Sequence, residues 1–169
     1  MEMHFIFIYA ILHETVDGGF TLMSDKENSI LIVEDSELSI SVLTDILGGT
    51  YDLHIARDGH EGIEMAKKEL PDLILLDIIL PRMDGYEVIK VLKDIPETKE
   101  IPIVFVTSLK GVDDERKGLQ LGADDYINKP YDPLIVKLRV DIQMRIVNQL
   151  RTIRLLSDEI ESWMKGEEK

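Results

Sequence analysis

From Ser29 onward, short runs of apolar residues alternate with longer segments in which apolar residues recur every three or four positions. The short runs are typical of strands that are buried on both faces of a sheet, and the longer segments are typical of amphipathic helices. Five strand–helix pairs in succession predict an α/β fold, a (βα)5 doubly wound parallel five-stranded sheet with helices on both faces. The predicted strands are residues 30–33, 51–56, 73–76, 101–106 and 125–128.

The helical segments have apolar faces that predict which side chains pack against the sheet. The first helix follows Ser36, a good capping residue, and the second spans 59–70. The third opens from a turn at 81–85 and runs to about Lys93, and the fourth spans about 112–121. The residues predicted to face the sheet are Leu38, Val42, Leu43, Ile46 and Leu47 in the first helix and Ile63, Ala66 and Leu70 in the second.

The last helix is predicted to be much longer than the sheet requires. After Pro133, which suits a first helical turn, nothing interrupts the pattern until about Gly166. Roughly 32 residues give a length close to 48 Å, and covering the sheet takes about a third of that. Apolar residues recur here at alternating steps of four and three, which indicates a heptad seam for a homodimer; the alternative is a helix that folds back on its own domain. The seam consists of Ile142, Ile146, Gln149, Ile153, Leu156, Ile160 and Trp163, and polar Gln149 could fix its register.

These patterns divide the 169 residues into a leader at 1–26, a globular domain at 27–148 and a helical extension at 149–169 that could form a coiled coil. The leader contains an apolar run at 5–12 that has no positive charge before it and is too short to span a bilayer. It could be a loosely ordered leader, a sequence upstream of a natural start at Met23, or a secretory signal.

The net charge of −14 is unevenly distributed along the chain. Residues 133–169 carry seven basic and six acidic side chains, whereas residues 1–132 carry twelve basic and twenty-seven acidic ones. An acidic body argues against direct binding to nucleic acid or to an anionic membrane. The absence of cysteine excludes disulfides and thiolate zinc sites, which is consistent with a cytoplasmic protein.

Polar residues with reactive side chains stand at the ends of four predicted strands. They are the acidic pair Glu34 and Asp35, then Asp77, Thr107 and Lys129. Because parallel strands end at a common edge, we expect these side chains to share one pocket. Clustered carboxylates repel one another unless a cation joins them, and oxygen ligands suit Mg²⁺. Any one of these residues alone would be interpreted as a helix cap, a turn residue or a surface lysine, so the prediction depends on their joint placement.

Five motifs in this order resemble the receiver domain of bacterial two-component response regulators, over about residues 29–148. The resemblance implies a flavodoxin-like strand order of 2-1-3-4-5 and a signalling protein rather than an enzyme. The motifs are Ile-Leu-Ile-Val-Glu-Asp at 30–35, Leu-Leu-Asp at 75–77, Leu-Pro-Arg-Met-Asp-Gly at 80–85, Val-Thr-Ser at 106–108 and Lys-Pro at 129–130.

The resemblance implies that Asp77 is the phosphoacceptor. Its partner would be a sensor histidine kinase or a phosphotransfer protein that carries a phosphohistidine. The resemblance also implies a Mg²⁺ cofactor bound by Asp35, Asp77 and the main-chain carbonyl of Ile79, with Glu34 contributing through bound water. Phosphoryl transfer depends mainly on positioning and charge neutralisation, and these residues are suited to both.

The family also implies how the phosphoryl group is held and how its presence changes the surface. Lys129, directed inward by a cis bond to Pro130, would contact the phosphoryl group, and Thr107 would donate a hydrogen bond to it. Thr107 would be drawn toward the phosphoryl group, and Tyr126 would then turn inward to fill the space. This switch would alter the surface of the fourth helix, fifth strand and fifth helix, and through it the pairing of the C-terminal helix.

In the family, the side chains two residues beyond the acceptor and two beyond the threonine flank the path of the hydrolytic water. Here they are Ile79 and Leu109, and apolar groups cannot orient water by hydrogen bonding. The resemblance therefore predicts a long-lived phosphoryl group.

Two other functions occur on a similar sheet. A magnesium-dependent phosphohydrolase commonly carries a second aspartate two residues after its nucleophile, and that position is Ile79 here. A flavodoxin-like cofactor binder needs a phosphate-cradling loop after the first strand, where this chain has an acidic pair instead. The long helix resembles linkers that join receivers to cyclic-dinucleotide enzymes or kinases, so the chain could be a piece of a larger regulator or a single-domain one.

Overall fold

The structure is a computed structural model that describes residues 28–109 and 111–166. Five parallel strands alternate with five helices, and the strands lie in the order β2-β1-β3-β4-β5, which confirms the predicted fold class and strand order. The strands are β1 Ser29–Val33, β2 Asp52–Ala56, β3 Leu73–Leu76, β4 Ile103–Thr107 and β5 Asp125–Asn128. The helices are α1 Glu37–Leu47, α2 Gly59–Glu69, α3 Gly85–Asp94, α4 Val112–Gln120 and α5 Pro133–Gly166.

The core has two apolar layers, one on each face of the sheet. Side chains that alternate along a strand point to opposite faces, so each central strand contributes to both layers. One layer packs the strands against α2 and α3 through residues such as Ile63, Ile89 and Leu92. The other packs them against α1 and α5, with Leu43, Leu47, Val136, Val140 and Met144 buried there.

Two side chains that were predicted to face the sheet do not. Leu38 is 76% exposed. Ile40 is buried with Leu43 instead, because it lies two residues further along and therefore about 160° away around the helix. Leu70 is also exposed, because it caps the end of α2 in the left-handed conformation, with a φ of 47°, and leaves the helical face. Strand β4 begins at Ile103 rather than 101, after Pro102, which has no N–H for the ladder.

The last helix runs without interruption over 34 residues, as predicted, which corresponds to about 50 Å. The seam residues Ile142, Ile146, Ile153 and Ile160 are exposed, so the alternative in which the helix buries its seam against its own domain is wrong. None of the helices in the described parts of the chain has the length and apolar character needed to cross a bilayer. The predictions for the leader fall outside the described residues.

An ion pair anchors the beginning of the helical extension to the sheet. The carboxylate of Asp72, just before β3, is buried and accepts a hydrogen bond of 2.8 Å from the Ser29 backbone N–H. Its other oxygen pairs with the guanidinium of Arg151, two turns beyond Met144, the last core residue of α5. This ion pair therefore holds α5 at Arg151 against the edge of the sheet opposite the predicted pocket.

Candidate functional site

The ends of the strands bring the predicted acidic residues into one cluster. Glu34 and Asp35 follow β1, and Asp77 follows the neighbouring strand β3. One carboxylate oxygen from each of these residues lies within 4.8 Å of the others. Glu34 and Asp77 are buried and Asp35 is exposed, so the cluster has a closed inner side and an open outer side.

Lys129 supplies the positive charge of this pocket. Its ammonium donates hydrogen bonds of 2.6 Å to Asp77 Oδ2 and of 2.6 Å to Glu34 Oε2. The Lys129–Pro130 bond is cis, as predicted, and the Lys129 backbone N–H donates to the Thr107 carbonyl at 2.9 Å. Burial by itself would lower the pKa of the ammonium, but the hydrogen bonds and charges of the two carboxylates outweigh burial and raise that pKa.

Lys129 does not fully compensate Glu34 for its buried position beside Asp77. Burial is the largest influence and raises the pKa of this carboxyl, and the neighbouring charge of Asp77 raises it further. The hydrogen bonds from Lys129 and from the Ser36 backbone N–H, at 3.2 Å, oppose that increase without cancelling it. Buried carboxylates that repel one another form a donor set that suits a hard divalent cation such as Mg²⁺.

The backbone after β3 holds Asp77 in place. The Ile79 backbone N–H donates to Asp77 Oδ1 at 3.0 Å, which leaves Oδ2 to Lys129. A Cβ atom at Gly85 would lie only 2.4 Å from the Asp77 carbonyl oxygen, so the start of α3 fits against this backbone only because residue 85 is glycine. Asp84 caps α3 in a capping box with Glu87. The sequence placed Gly85 in the turn before α3, but its close approach to the Asp77 backbone was not predicted.

Thr107 and Tyr126 lie on the neighbouring strands β4 and β5. Thr107 is buried, and its Oγ1 accepts a hydrogen bond of 3.1 Å from the Leu109 backbone N–H. Tyr126 is buried as well, with its ring in the inward position against Phe105 at a centroid distance of 5.3 Å. Ile79 is exposed beside Asp77, whereas Leu109 packs against the core.

Three neighbours of Tyr126 were missed by the sequence analysis. Tyr86 and Phe105 form one aromatic cluster with it, in which the Phe105 ring contacts both tyrosine rings, and Gly118 lies directly against the Tyr126 hydroxyl. They belong to α3, β4 and α4, so no local spacing in the sequence connects them. Only the tertiary packing shows that they surround the tyrosine.

Comparison with known proteins identifies similar chains. The family model for the response regulator receiver domain matches residues 30–155. Response regulator PleD from Caulobacter vibrioides is 39% identical over 126 residues, which cover 72% of this chain and 28% of PleD. The alkaline phosphatase synthesis transcriptional regulatory protein PhoP from Bacillus subtilis is 40% identical over 117 residues, which cover 69% of this chain and 48% of PhoP. This chain thus spans between about a quarter and a half of the length of these relatives.

A solved structure supports the same assignment. The signal receiver domain of a signal transduction histidine kinase from Syntrophus aciditrophicus superposes with a TM-score of 0.64 and 35% sequence identity. The match covers 70% of this chain and 90% of that domain.

Proposed function

This chain belongs to the response regulator receiver domain family, and from that premise we propose that it is a phosphorylation-dependent signalling switch whose acceptor is Asp77. The phosphoryl donor would be the phosphohistidine of a histidine kinase or phosphotransfer protein in the cytoplasm. The observation that carries this proposal is the Lys129 ammonium, which lies 2.6 Å from the Asp77 carboxylate inside an acidic pocket. Because receivers are not an enzyme family, the phosphohydrolase alternative has no support.

The proposed reaction moves a phosphoryl group from nitrogen to oxygen. A carboxylate oxygen of Asp77 attacks the phosphorus, a P–O bond forms, and the P–N bond breaks with its electron pair leaving on the imidazole. The product on this chain is an acyl phosphate. Lys129 stays within reach of a phosphoryl oxygen, and the Thr107 hydroxyl would donate a hydrogen bond to another. Transfer of this kind needs positioning and charge neutralisation, and both residues serve those needs.

The acidic cluster fits the Mg²⁺ ion that the family typically binds. Asp35 and Asp77 would hold it together with the main-chain carbonyl of Ile79, and Glu34 would act through water. A bound Mg²⁺ neutralises charge on the phosphoryl oxygens and on the carboxylates that share the pocket.

Intact mass spectrometry tests the acceptor. After incubation with Mg²⁺ and acetyl phosphate, the wild type is expected to gain the mass of one phosphate and Asp77→Ala none. Asp45→Ala, which removes an exposed aspartate from α1, is the matched control and should gain the phosphate as the wild type does. An equal gain in Asp77→Ala would contradict the proposal, as would a wild type that gains no phosphate from either acetyl phosphate or a phosphorylated partner kinase.

We propose that the output includes homodimer formation through α5. Ile146, Ile153 and Ile160 would occupy the a positions of the seam and Leu156 one of its d positions, a combination that occurs in two-stranded coiled coils. Tyr126 lies inward in this structure, and phosphorylation would favour this position over an outward one, which would change the α4–β5–α5 surface and with it the pairing of the two helices.

Light scattering after size-exclusion chromatography tests this output. Ile153→Glu should give a monomer at a concentration at which the wild type is a dimer. Leu155→Glu changes an equally exposed residue that lies off the seam, and it should leave the dimer intact. A wild type that remains monomeric in both the phosphorylated and unphosphorylated states would contradict the dimer.

The lifetime of the acyl phosphate is expected to depend on Ile79 and Leu109. Ile79→Asn or Leu109→Glu adds a polar group beside the proposed path of water and should change the rate of phosphate loss. The rate can be followed by intact mass after the donor is removed. Identical decay in the wild type and both variants would show that these side chains do not control the lifetime.

A further inference from the structure

Tyr126 occupies space that exists because residue 118 is glycine. A Cβ atom built on Gly118 would lie 1.5 Å from the Tyr126 hydroxyl oxygen and 2.7 Å from its Cζ. The same atom would lie 2.9 Å from Cε2 of Phe105. Gly118 is also the one buried residue within α4, and a glycine inside a helix is less favourable than alanine. The close approach to Tyr126 supplies the packing reason for a residue that weakens the helix.

The inward ring is held by contacts from several elements. The Tyr126 hydroxyl donates to the Asp114 carbonyl at 3.1 Å, and the Tyr86 hydroxyl donates to the same carbonyl at 3.2 Å. The Phe105 ring packs between two tyrosine rings: it meets the Tyr86 ring edge-on at a centroid distance of 5.6 Å and the Tyr126 ring at a tilt at 5.3 Å. The Lys117 ammonium lies over the Tyr86 ring at 3.8 Å. The first two turns of α4 therefore form one wall of the site that holds the Tyr126 ring.

We propose that Gly118 is a positioning residue of the switch: it permits the close approach of the inward Tyr126 ring to α4, and a Cβ atom at this place would force the ring to shift. The consequence for signalling rests on the proposed switching role of Tyr126, whereas the steric claim does not. In Gly118→Ala we expect the Tyr126 ring to move away from α4. A cleft of about 380 Å³ next to the ring, lined in part by Leu109, Glu115 and Asn128, offers it room.

Chemical accessibility of the phenol tests the steric claim without phosphorylation. Burial is the largest cause that raises the pKa of Tyr126 to about 12, with the nearby charges of Glu115 and Asp114 adding to it. Nitration by tetranitromethane acts on the phenolate, so the wild-type Tyr126 should react slowly near pH 8. If leaving the buried position lowers the pKa of the phenol by only one, the phenolate becomes about tenfold more abundant at this pH. We therefore expect Tyr126 in Gly118→Ala to be nitrated at least about tenfold faster, as measured by peptide mass mapping.

Two further variants keep the test decisive. Leu119→Ala shortens an exposed side chain on the same helix and should leave nitration of Tyr126 unchanged. In the Tyr126→Ala background, Gly118→Ala should cost less stability than it does in the wild type, because the hydroxyl and Cζ atoms that clash are gone. Equal protection of Tyr126 in the wild type and Gly118→Ala would overturn the inference, and so would an equal change in melting temperature in both backgrounds.

The effect on signalling is read separately from the effect on the ring. Gly118→Ala should still gain phosphate from acetyl phosphate, because residue 118 is outside the acidic pocket. It should lose the phosphorylation-dependent change in amide hydrogen exchange at α4, β5 and α5 that the wild type is expected to show. A wild type without that change would refute the proposed switch and leave the steric result standing, whereas a Gly118→Ala variant that retains the change would refute the role of Gly118 in the switch.

Discussion

Replacing Lys129 by methionine should destabilise the protein because the two buried carboxylates lose their shared cation. The Lys129 side chain is 19% exposed, whereas those of Glu34 and Asp77 are only 2% and 6% exposed. Removing one partner of a buried ion pair typically costs about 3–5 kcal/mol. We expect a loss near the lower end, about 3 kcal/mol, because water reaches the ammonium and a carboxylate can take up a proton.

The size of this loss should depend on pH. The pKa of Glu34 is already raised in the folded protein, and removal of Lys129 takes away hydrogen bonds and charge that hold it down. The folded variant then binds a proton that the unfolded chain releases, so its stability falls as pH rises above the ordinary pKa of 4.5. The loss relative to the wild type should therefore be smaller near pH 5 than at pH 7.5.

Added Mg²⁺ should reduce the loss. A ligand that binds only the folded state stabilises it by about 2.7 kcal/mol at one hundred times its Kd. Since Lys129 repels a cation from the pocket, the variant should bind Mg²⁺ more tightly than the wild type does. Urea unfolding followed by circular dichroism, in EDTA and in Mg²⁺, measures all three effects.

The control for this experiment is Lys90→Met, which removes an exposed lysine from α3 and should change stability little. A Lys129→Met variant as stable as this control at pH 7.5 would refute the reasoning. A loss that is the same at both pH values, or that Mg²⁺ does not reduce, would show that the carboxylates are not the source of the destabilisation.

Three further variants test the surroundings of the pocket and the anchor of α5. Gly85→Ala should lower the free energy of unfolding by about 1–3 kcal/mol and slow phosphate uptake, because its methyl group displaces the backbone of the proposed phosphoacceptor. Urea unfolding and phosphate uptake by intact mass that both match the wild type would contradict this. The raised pKa of Glu34 makes the folded state bind a proton that the unfolded chain releases, so the wild-type melting temperature should fall between pH 4.5 and 7 in EDTA. Glu34→Gln should make this fall smaller, and an unchanged dependence on pH would show that Glu34 does not cause it. Arg151→Met leaves a buried carboxylate without its cation, so stability should fall by about 1–3 kcal/mol and amides at 145–152 should exchange faster. Arg154→Met is its control, and equal exchange in the two variants would argue against the anchor.

The strand ends could be predicted from the sequence because they depend on local pattern. Apolar runs locate buried strands, and the parallel arrangement then places whatever follows each run at one edge of the sheet. That reasoning predicted that Asp77 and Lys129 would meet, and the structure has their side chains in contact. The roles of these residues in phosphoryl transfer stay predictions until the reaction is measured.

The errors and omissions have a different physical origin. Leu38 and Ile40 are both apolar, and only the position of α1 on the sheet decides which one is buried. The requirements for Gly85 and Gly118 arise from backbone and ring atoms of other elements, so neither has a local sequence signal. Close approaches of this kind depend on tertiary packing at a scale of tenths of an ångström, which spacing and composition do not determine.

The most direct test of the account locates the phosphoryl group on the chain. The protein is phosphorylated with acetyl phosphate and Mg²⁺, the acyl phosphate is reduced with borohydride, and the modified residue is found by peptide mass mapping. Reduction converts a phosphorylated aspartate to homoserine and releases phosphate. We expect homoserine at position 77 and unmodified aspartate at position 35. Homoserine at position 35, or phosphate uptake that leaves Asp77 unchanged, would contradict the assignment of Asp77 as the acceptor.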